Sequence, residues 1–326
     1  MAPLWEMLKD LVPEEPRPKA KPYLWDYDDV RKHLLEAGDL VTAEEAERRV
    51  LVLANPGYDG QARATAMVYA GIQLVLPGEV APAHRHTQSA LRFVLESEGG
   101  FTAVNGERTR MAPGDLVITP SWTWHDHGNA SDKPVTWVDI LDVPMVNFFE
   151  AGFYEHYNDK SQEIVRPEGD SLARYGLAML PVDAKSPFGA TSPIFNYPFE
   201  RTREALAAMV QEGSLDPHWG ATLLYSNPID GGWPMPTIAS WMTHLPSGTS
   251  TNRMRSTDGV IVVVAEGRGV ARIGDQRLPF KRHDVFVVPN WMWRSFEADE
   301  DCFLFCSSDR SIQQKMDVWR EDKAQS

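Results

Sequence analysis

From Met67 onward the chain breaks into short apolar runs separated by Pro, Gly and Asn: Ile72 to Leu76, Ala90 to Leu95, Phe101 to Val104, Leu116 to Thr119 and Val135 to Leu141. Runs this short, bounded by turn formers, predict the strands of a β-barrel. Asn105-Gly106 between two of them is the preferred pair for a two-residue type I′ hairpin, and Gly274-Asp275 occupies the equivalent place later in the chain. Before Met67 the texture differs. Pro13 to Pro22 interrupts any early structure, and Thr42-Ala-Glu-Glu45 is a capping box that predicts a helix through about Val50. Between 151 and 236, proline-rich loops surround a predicted helix near Thr202 to Gln211, stopped by Gly213 and Pro217. Ser311 to Glu321 predicts a polar C-terminal helix.

The pattern repeats. Displacing the chain against itself by 169 positions aligns Leu76 to His127 with Leu245 to Phe296 without a gap. Pro77, Val94, Gly100, Asp115, Pro120, Trp122 and Trp124 then recur as Pro246, Val263, Gly269, Asp284, Pro289, Trp291 and Trp293. The expected organisation is a helical arm (1–66), a first barrel (67–150), a connector with a helix (151–236), and a second barrel with a C-terminal helix (237–326). In this alignment His84, His86 and His125 fall opposite Arg253, Arg255 and Arg294, none of which can ligate a metal because guanidinium stays protonated. The second barrel is therefore expected to be metal-free, with a structural and oligomer-building role, its arginines paired to carboxylates such as Asp258 or Glu266 or to an anion.

A length of 326 residues agrees with two domains. The net charge of −14, from 32 Lys and Arg against 46 Asp and Glu, argues against nucleic acid or an anionic membrane as the main partner. An anionic substrate would need local cations. No run of about 18 apolar residues exists, and Met1 to Lys19 lacks a signal-like apolar stretch, so a soluble cytoplasmic protein is expected. Cys302 and Cys306, the two cysteines, lie in a strand-like Cys-Phe-Leu-Phe-Cys run and are expected to be reduced core residues.

The candidate chemistry lies in the first copy. On a strand, residues i and i+2 share a face, so His84 and His86 can present two imidazoles to one point, with His125 arriving from a second strand. Gly78-x5-His84-x-His86 followed by Gly114-x5-Pro120-x-Trp122-x2-His125-x3-Asn129 resembles the two motif blocks of the cupin superfamily, with Trp122 where that pattern has Gly. The resemblance implies an all-β dominated bicupin of two double-stranded β-helix (jelly-roll) barrels. Many metal-binding cupins add a Glu shortly after the second His, but Ala90 and Leu91 stand there. Three neutral imidazoles on a six-coordinate ion leave positions for a chelating substrate and dioxygen, which suits Fe(II), although three-histidine sites also hold catalytic zinc. His127 lies two residues beyond His125, facing the same interior, as an alternative ligand or a substrate contact. Arg92 interrupts an apolar run on the face of Ala90 and Val94, so it needs either a protein carboxylate or a substrate carboxylate. Gln73 and Asp139 are likewise polar residues in apolar strand segments, whereas Arg48 and Arg49 read as a solvated helix face.

Nearly the whole chain resembles the bacterial gentisate 1,2-dioxygenases, relatives of salicylate and 1-hydroxy-2-naphthoate dioxygenases. The likeness is dense in Leu76-Pro-Gly-Glu-Val-Ala-Pro-Ala-His-Arg-His-Thr-Gln-Ser-Ala-Leu-Arg-Phe93 and Thr119-Pro-Ser-Trp-Thr-Trp-His-Asp-His-Gly-Asn129, and resurfaces at Asp284-Val-Phe-Val-Val-Pro-Asn-Trp291. It implies an Fe(II) enzyme opening 2,5-dihydroxybenzoate between C1 and C2 with dioxygen to give maleylpyruvate, commonly as a homotetramer, with no flavin or nicotinamide. By position, His84, His86 and His125 match iron ligands; Arg92 and His127 match substrate contacts; Gln73, Asp139 and Arg48 match pocket positions. Asp139 joins Arg92 and His127 as an expected catalytic group, and Tyr69 and Gly71 match the wall separating gentisate-only enzymes from those accepting salicylates. Competing readings are the same chemistry on salicylate, nitro- or halosalicylates or 1-hydroxy-2-naphthoate, a zinc cupin isomerase or hydrolase, and a noncatalytic bicupin binder.

Overall fold

In the computed structural model, which describes residues 1–213 and 215–325, two antiparallel β-barrels lie side by side. The first is built from a six-stranded sheet in the order Asn196–Tyr197, Leu116–Thr119, Ala90–Glu96, Val135–Leu141, Tyr69–Val75, Val50–Val52, facing a five-stranded sheet. That second sheet runs Tyr154–His156, Val80–His86, His125–Asn129, Gly100–Val104, Glu107–Arg110. The other barrel repeats the plan, with Ala239–Leu245, Cys302–Ser308 and Val260–Glu266 central in one sheet and Arg294–Ala298 and Arg268–Ile273 central in the other. This is a bicupin.

Alternation along the strands explains the layout. In Ala90–Glu96, Leu91, Phe93 and Leu95 point towards the other barrel and join one core with Ile261, Val263, Phe303 and Phe305, while Ala90, Arg92 and Val94 point inward. Phe93 stacks on Phe305 at 4.3 Å between centroids. The two large sheets thus bury their outer faces against each other, and the barrels form one hydrophobic unit.

The arm and connector exchange edge strands. Tyr23–Trp25, which precedes the first barrel, pairs with Val285–Val288 of the second; Asn196–Tyr197, which follows the first barrel, pairs with Leu116–Thr119 of the first. After each strand a helix begins, Tyr27–Leu40 and Phe199–Gln211, with Tyr27 N donating to Asp284 and Phe199 N donating to Asp115. Segment 1–66 is therefore more than a helical arm. The helix Tyr27–Leu40 escaped the sequence reading, although Asp26 caps it by accepting from Asp29 N.

Three local expectations fail. The capping box at Thr42 forms, but its helix spans only Ala43–Ala46, because Glu47 takes a left-handed φ of 50° and Val50–Val52 is drawn into pairing with Tyr69–Val75. The C-terminal helix is Arg310–Lys315, and Glu321–Lys323 is a strand on Met254–Ser256. The gapless alignment is also out of register: the second copy is one residue shorter in the turn between Val94 and Gly100, so upstream positions correspond one residue later. His84 pairs with His125, and the matching pair is Met254 with Arg294. Trp122 N donates to His86 O as Trp291 N donates to Ser256 O. Hence Met254 and Ser256, not Arg253 and Arg255, replace the strand histidines. Arg255 corresponds to Arg85: each lies over two tryptophans and pairs with an edge-strand acid, Asp322 or Glu155.

The hairpins form as expected. Asn105 and Gly106 both have positive φ, 46° and 81°, the type I′ pattern, whereas at Gly274-Asp275 only Gly274 does. Trp122 and Trp291 hold φ of 58° and 56° where the cupin pattern has glycine, a conformation costing roughly 1–2 kcal/mol for an L-residue. Arg85 and Arg255, stacked on these rings at 4.6 and 4.3 Å, offset part of that cost.

Candidate metal centre

Two strands bring the three histidines together. His84 and His86 share the inner face of Val80–His86, and the antiparallel partner strand sets His125 directly opposite His84. Ring centroids are 4.5 Å apart for His84 and His125, 4.8 Å for His86 and His125, and 5.3 Å for His84 and His86. One nitrogen from each lies within 4.8 Å of the others, the one such cluster of His, Cys, Asp or Glu among the described residues.

The outer nitrogens show which atoms are free. Nδ1 of His86 lies 2.8 Å from Gln88 O, Nδ1 of His125 lies 3.0 Å from Thr123 O, and Nδ1 of His84 lies 3.1 Å from Tyr154 Oη. A carbonyl can only accept, so in His86 and His125 the proton sits on Nδ1 and the Nε2 lone pair faces the cavity. Burial holds all three rings neutral: the pKa of His84 falls to about 2, with Arg48 next in effect, that of His86 to about 4, and that of His125 well below its ordinary value. Three neutral imidazoles, each held at Nδ1 from behind, suit a divalent transition metal.

The triad opens into a cavity of about 220 Å³ lined by Arg48, Val50, Tyr69, Gln73, His84, His86, Arg92, His125, Asp139, Leu141 and Val143. Arg92 is buried, donates to Thr119 Oγ1 at 2.6 Å and places Nε 3.4 Å from Asp139 Oδ1, leaving that Nε without a hydrogen-bond partner. Burial raises the Asp139 pKa while Arg92 pulls it back. Arg48 is not on a solvated helix face. The left-handed turn at Glu47 swings its guanidinium into the cavity, 2.8 Å from Pro82 O and 3.4 Å from His84 Nε2, and burial lowers its pKa to about 10. Arg49 lies elsewhere, pinned to Glu79 at 2.8 Å. Two guanidinium groups and one carboxylate give the cavity a formal charge of +1 before any metal, a local cationic site on an acidic protein.

Gln73 is buried with Nε2 unpartnered. Gly71 lies behind the wall: a Cβ there would meet Val50 Cγ1 at 2.5 Å and Tyr69 Oη at 2.6 Å. His127 is buried beside His125, 5.7 Å between centroids, with Nδ1 2.9 Å from Thr102 Oγ1 and Nε2 unpartnered. Because Thr102 donates to Met111 Sδ at 3.2 Å, its oxygen accepts from His127 Nδ1, and His127 Nε2 is left as a bare acceptor. The sequence reading missed Val50, Leu141, Val143 and Tyr154; apolar side chains after a misjudged helix and an edge strand carry no local signal of a cavity. In the second barrel, Met254, Thr243, Val262, Cys306 and Arg294 fill the matching interior, leaving about 10 Å³. Arg294 is buried and donates to Ser256 Oγ at 3.2 Å, and Asp258 offsets its charge; Arg255 pairs with Asp322, and Glu266 pairs with Arg203 rather than with any of the three arginines.

Residues 71–141 match the Cupin domain family model, and fold and site together define a bicupin with a three-histidine cluster in its first barrel. The chain is 54% identical to gentisate 1,2 dioxygenase 1 of Aquipseudomonas alcaligenes over 99% of its own length and 93% of the relative's. It is 35% identical to a 5-aminosalicylate 1,2-dioxygenase of Comamonas sp, covering 98% of this chain and 86% of that one. The solved structure of salicylate 1,2-dioxygenase from Pseudoaminobacter salicylatoxidans with gentisate superposes with a TM-score of 0.94 at 34% identity, covering 100% of this chain and 91% of that one. The chain belongs to the gentisate 1,2-dioxygenase family of aromatic ring-cleaving dioxygenases.

Proposed function

We propose that this protein is an Fe(II)-dependent dioxygenase that opens gentisate between C1 and C2, inserting both atoms of dioxygen to give maleylpyruvate. The observation carrying the reading is the meeting, in one 220 Å³ cavity, of three neutral imidazoles with two guanidinium groups. His84, His86 and His125 would hold the ion. Bound there, Fe(II) would supply the open coordination positions at which the aromatic acid and dioxygen react and the electron density exchanged between them.

The other groups act on the substrate. Arg92, with an unpartnered Nε and only a loose pairing to Asp139, is suited to grip the carboxylate and fix the ring's orientation. Arg48 adds a second cation at the cavity mouth. Gln73 Nε2 is a free donor for a ring oxygen, and His127 Nε2, unprotonated in the neutral range and set beside His125 rather than on the cavity lining, would take the proton of a phenolic hydroxyl from a substrate that reaches past His125. Asp139 holds Arg92 in place and limits the build-up of positive charge. Tyr69 and Gly71 shape the wall against the ring. A homotetramer in the cytoplasm completes the proposal; exposed Trp5, Phe148, Phe149 and Phe153 support assembly through apolar surface.

The test is anaerobic reconstitution with Fe(II), followed by oxygen uptake and absorbance of the cleaved product with gentisate, salicylate and 1-hydroxy-2-naphthoate. One dioxygen consumed per gentisate is expected. Uptake with salicylates alone would move the substrate and keep the chemistry, while an iron-loaded protein inert towards all three would overturn the proposal.

A further inference from the structure

His84 differs from the other two histidines in what holds it from behind. His86 and His125 rest on main-chain carbonyls two residues away, which the local backbone fixes. His84 instead rests on a side chain 70 positions further along: Tyr154, on the connector strand Tyr154–His156 that pairs with the ligand strand. Tyr154 Oη lies 3.1 Å from His84 Nδ1 and 3.3 Å from Glu47 Oε2. His156 Nδ1 stands at 3.5 Å, a weaker neighbour. A carboxylate can only accept, so the tyrosine hydroxyl donates to Glu47 and its oxygen accepts from the His84 N–H. The polarity runs one way, from imidazole to hydroxyl to carboxylate.

We propose that Tyr154 and Glu47 form a positioning relay for His84, fixing its tautomer and raising its basicity towards the metal. Such outer partners typically change metal affinity by about 10- to 100-fold when lost. The second barrel supports the assignment independently. Its edge strand Glu321–Lys323 pairs in the same register, keeping the Arg85–Glu155 contact as Arg255–Asp322, yet the position of Tyr154 is Glu321, opposite Ser256. Where the strand histidines are missing, so is the tyrosine, whereas the ion pair that stabilises the strand is present in both barrels. Glu47 also sits at the left-handed turn that sends Arg48 into the cavity, so the relay ties the arm segment bearing Arg48 to the ligand cluster.

The inference rests on the triad being the metal site, and the test separates the two. Affinity for Co(II) is measured by chelator competition on the full chain, following the visible spectrum of the bound ion, alongside the melting temperature of the metal-free protein. Tyr154→Phe keeps the ring packed on His84 and the strand pairing, and is expected to weaken Co(II) binding about 10-fold with an unchanged apo melting temperature. Glu47→Gln is expected to weaken it roughly 2- to 3-fold, and to have no further effect in the Tyr154→Phe background, because it acts through the hydroxyl. Wild-type affinity in Tyr154→Phe, or an undiminished Glu47→Gln effect in that background, overturns the relay. His84→Ala is the control: Co(II) retained at this site in that variant would overturn the triad assignment itself.

Discussion

Arg92→Ala separates two tasks assigned to one side chain, gripping an anionic substrate and neutralising Asp139. Hydrogen bonds to charged groups contribute about 1.5–3 kcal/mol, so loss of the carboxylate grip should lower kcat/KM by roughly 10- to 150-fold. Stability falls for a different reason. Removing one member of a buried ion pair costs about 3–5 kcal/mol, limited by the alternative of protonating Asp139 at about 1.4 kcal/mol per pH unit above its raised pKa. Asp139 is buried and its pKa already lies above 3.8; without Arg92 it rises further. A group whose folded pKa is raised stabilises fully below its unfolded pKa and loses that contribution as pH rises through the folded one, so the deficit should be larger at pH 8 than at pH 5. The double variant Arg92→Ala, Asp139→Asn should regain most of the melting temperature and none of the lost kcat/KM. Calorimetry at both pH values and oxygen uptake with gentisate read the two effects. If Asp139→Asn restored catalysis together with stability, Arg92 would act only through Asp139 and the substrate grip would be refuted.

Three further outcomes follow from the geometry. His84→Ala or His125→Ala should lose tightly bound iron, read by metal analysis after gel filtration, while the barrel folds, because neither ring belongs to the shared apolar core. Gly71→Ala places a methyl group 2.5 Å from Val50 Cγ1 and 2.6 Å from Tyr69 Oη, so it should destabilise by about 1–3 kcal/mol and change the ratio of kcat/KM for gentisate and salicylate. An unchanged ratio would remove Tyr69 from the specificity wall. Burial and the neighbouring Asp258 raise Asp309 to about 7, so the wild type should lose stability as pH rises from about 4 through 7, and Asp309→Asn should flatten that slope in melting curves taken at pH 5.5 and 8.

The barrel strands and the shared face of His84 and His86 were legible because both rest on short-range pattern. Ala90, Arg92 and Val94 alternate with Leu91, Phe93 and Leu95, and the structure puts these two sets on opposite faces. The histidine spacing needed only the period of a strand. What escaped depends on partners distant in sequence. Val50 looks helical after Thr42-Ala-Glu-Glu45, but pairing opposite Gln73 overrides the capping signal. Arg48 looks solvated until the turn at Glu47 is known. Tyr154 lies in an exposed edge strand whose importance comes from the histidine beside it, 70 residues earlier. A one-residue deletion in a turn was invisible to a gapless comparison, yet it changes which residues face a barrel interior, since side chains alternate with a period of two.

Once that register is corrected, the two barrels act as an internal comparison that sorts fold from chemistry. Features present in both are structural: the left-handed tryptophans Trp122 and Trp291, the arginines stacked on them, the acids Glu155 and Asp322, and the carboxylates Asp115 and Asp284 that accept from the helix starts. Polar groups of the first interior that lack a counterpart are the candidates for the site. Arg92 opposes Asp139 as Val262 opposes Cys306, and His84 and His125 oppose each other as Met254 and Arg294 do. Arg92, Asp139, His84 and His86 are therefore replaced by uncharged residues in a barrel that still folds around them. Burying a charged pair is at best weakly stabilising, and the second barrel folds with Val262 and Cys306 in place of the Arg92–Asp139 pair, its own buried Arg294 being offset by Asp258. The Arg92–Asp139 pair is accordingly dispensable to the barrel architecture, and the second interior is closed by an apolar core of its own that includes Val260, Val262, Leu304 and Cys306, separate from the core the two barrels share.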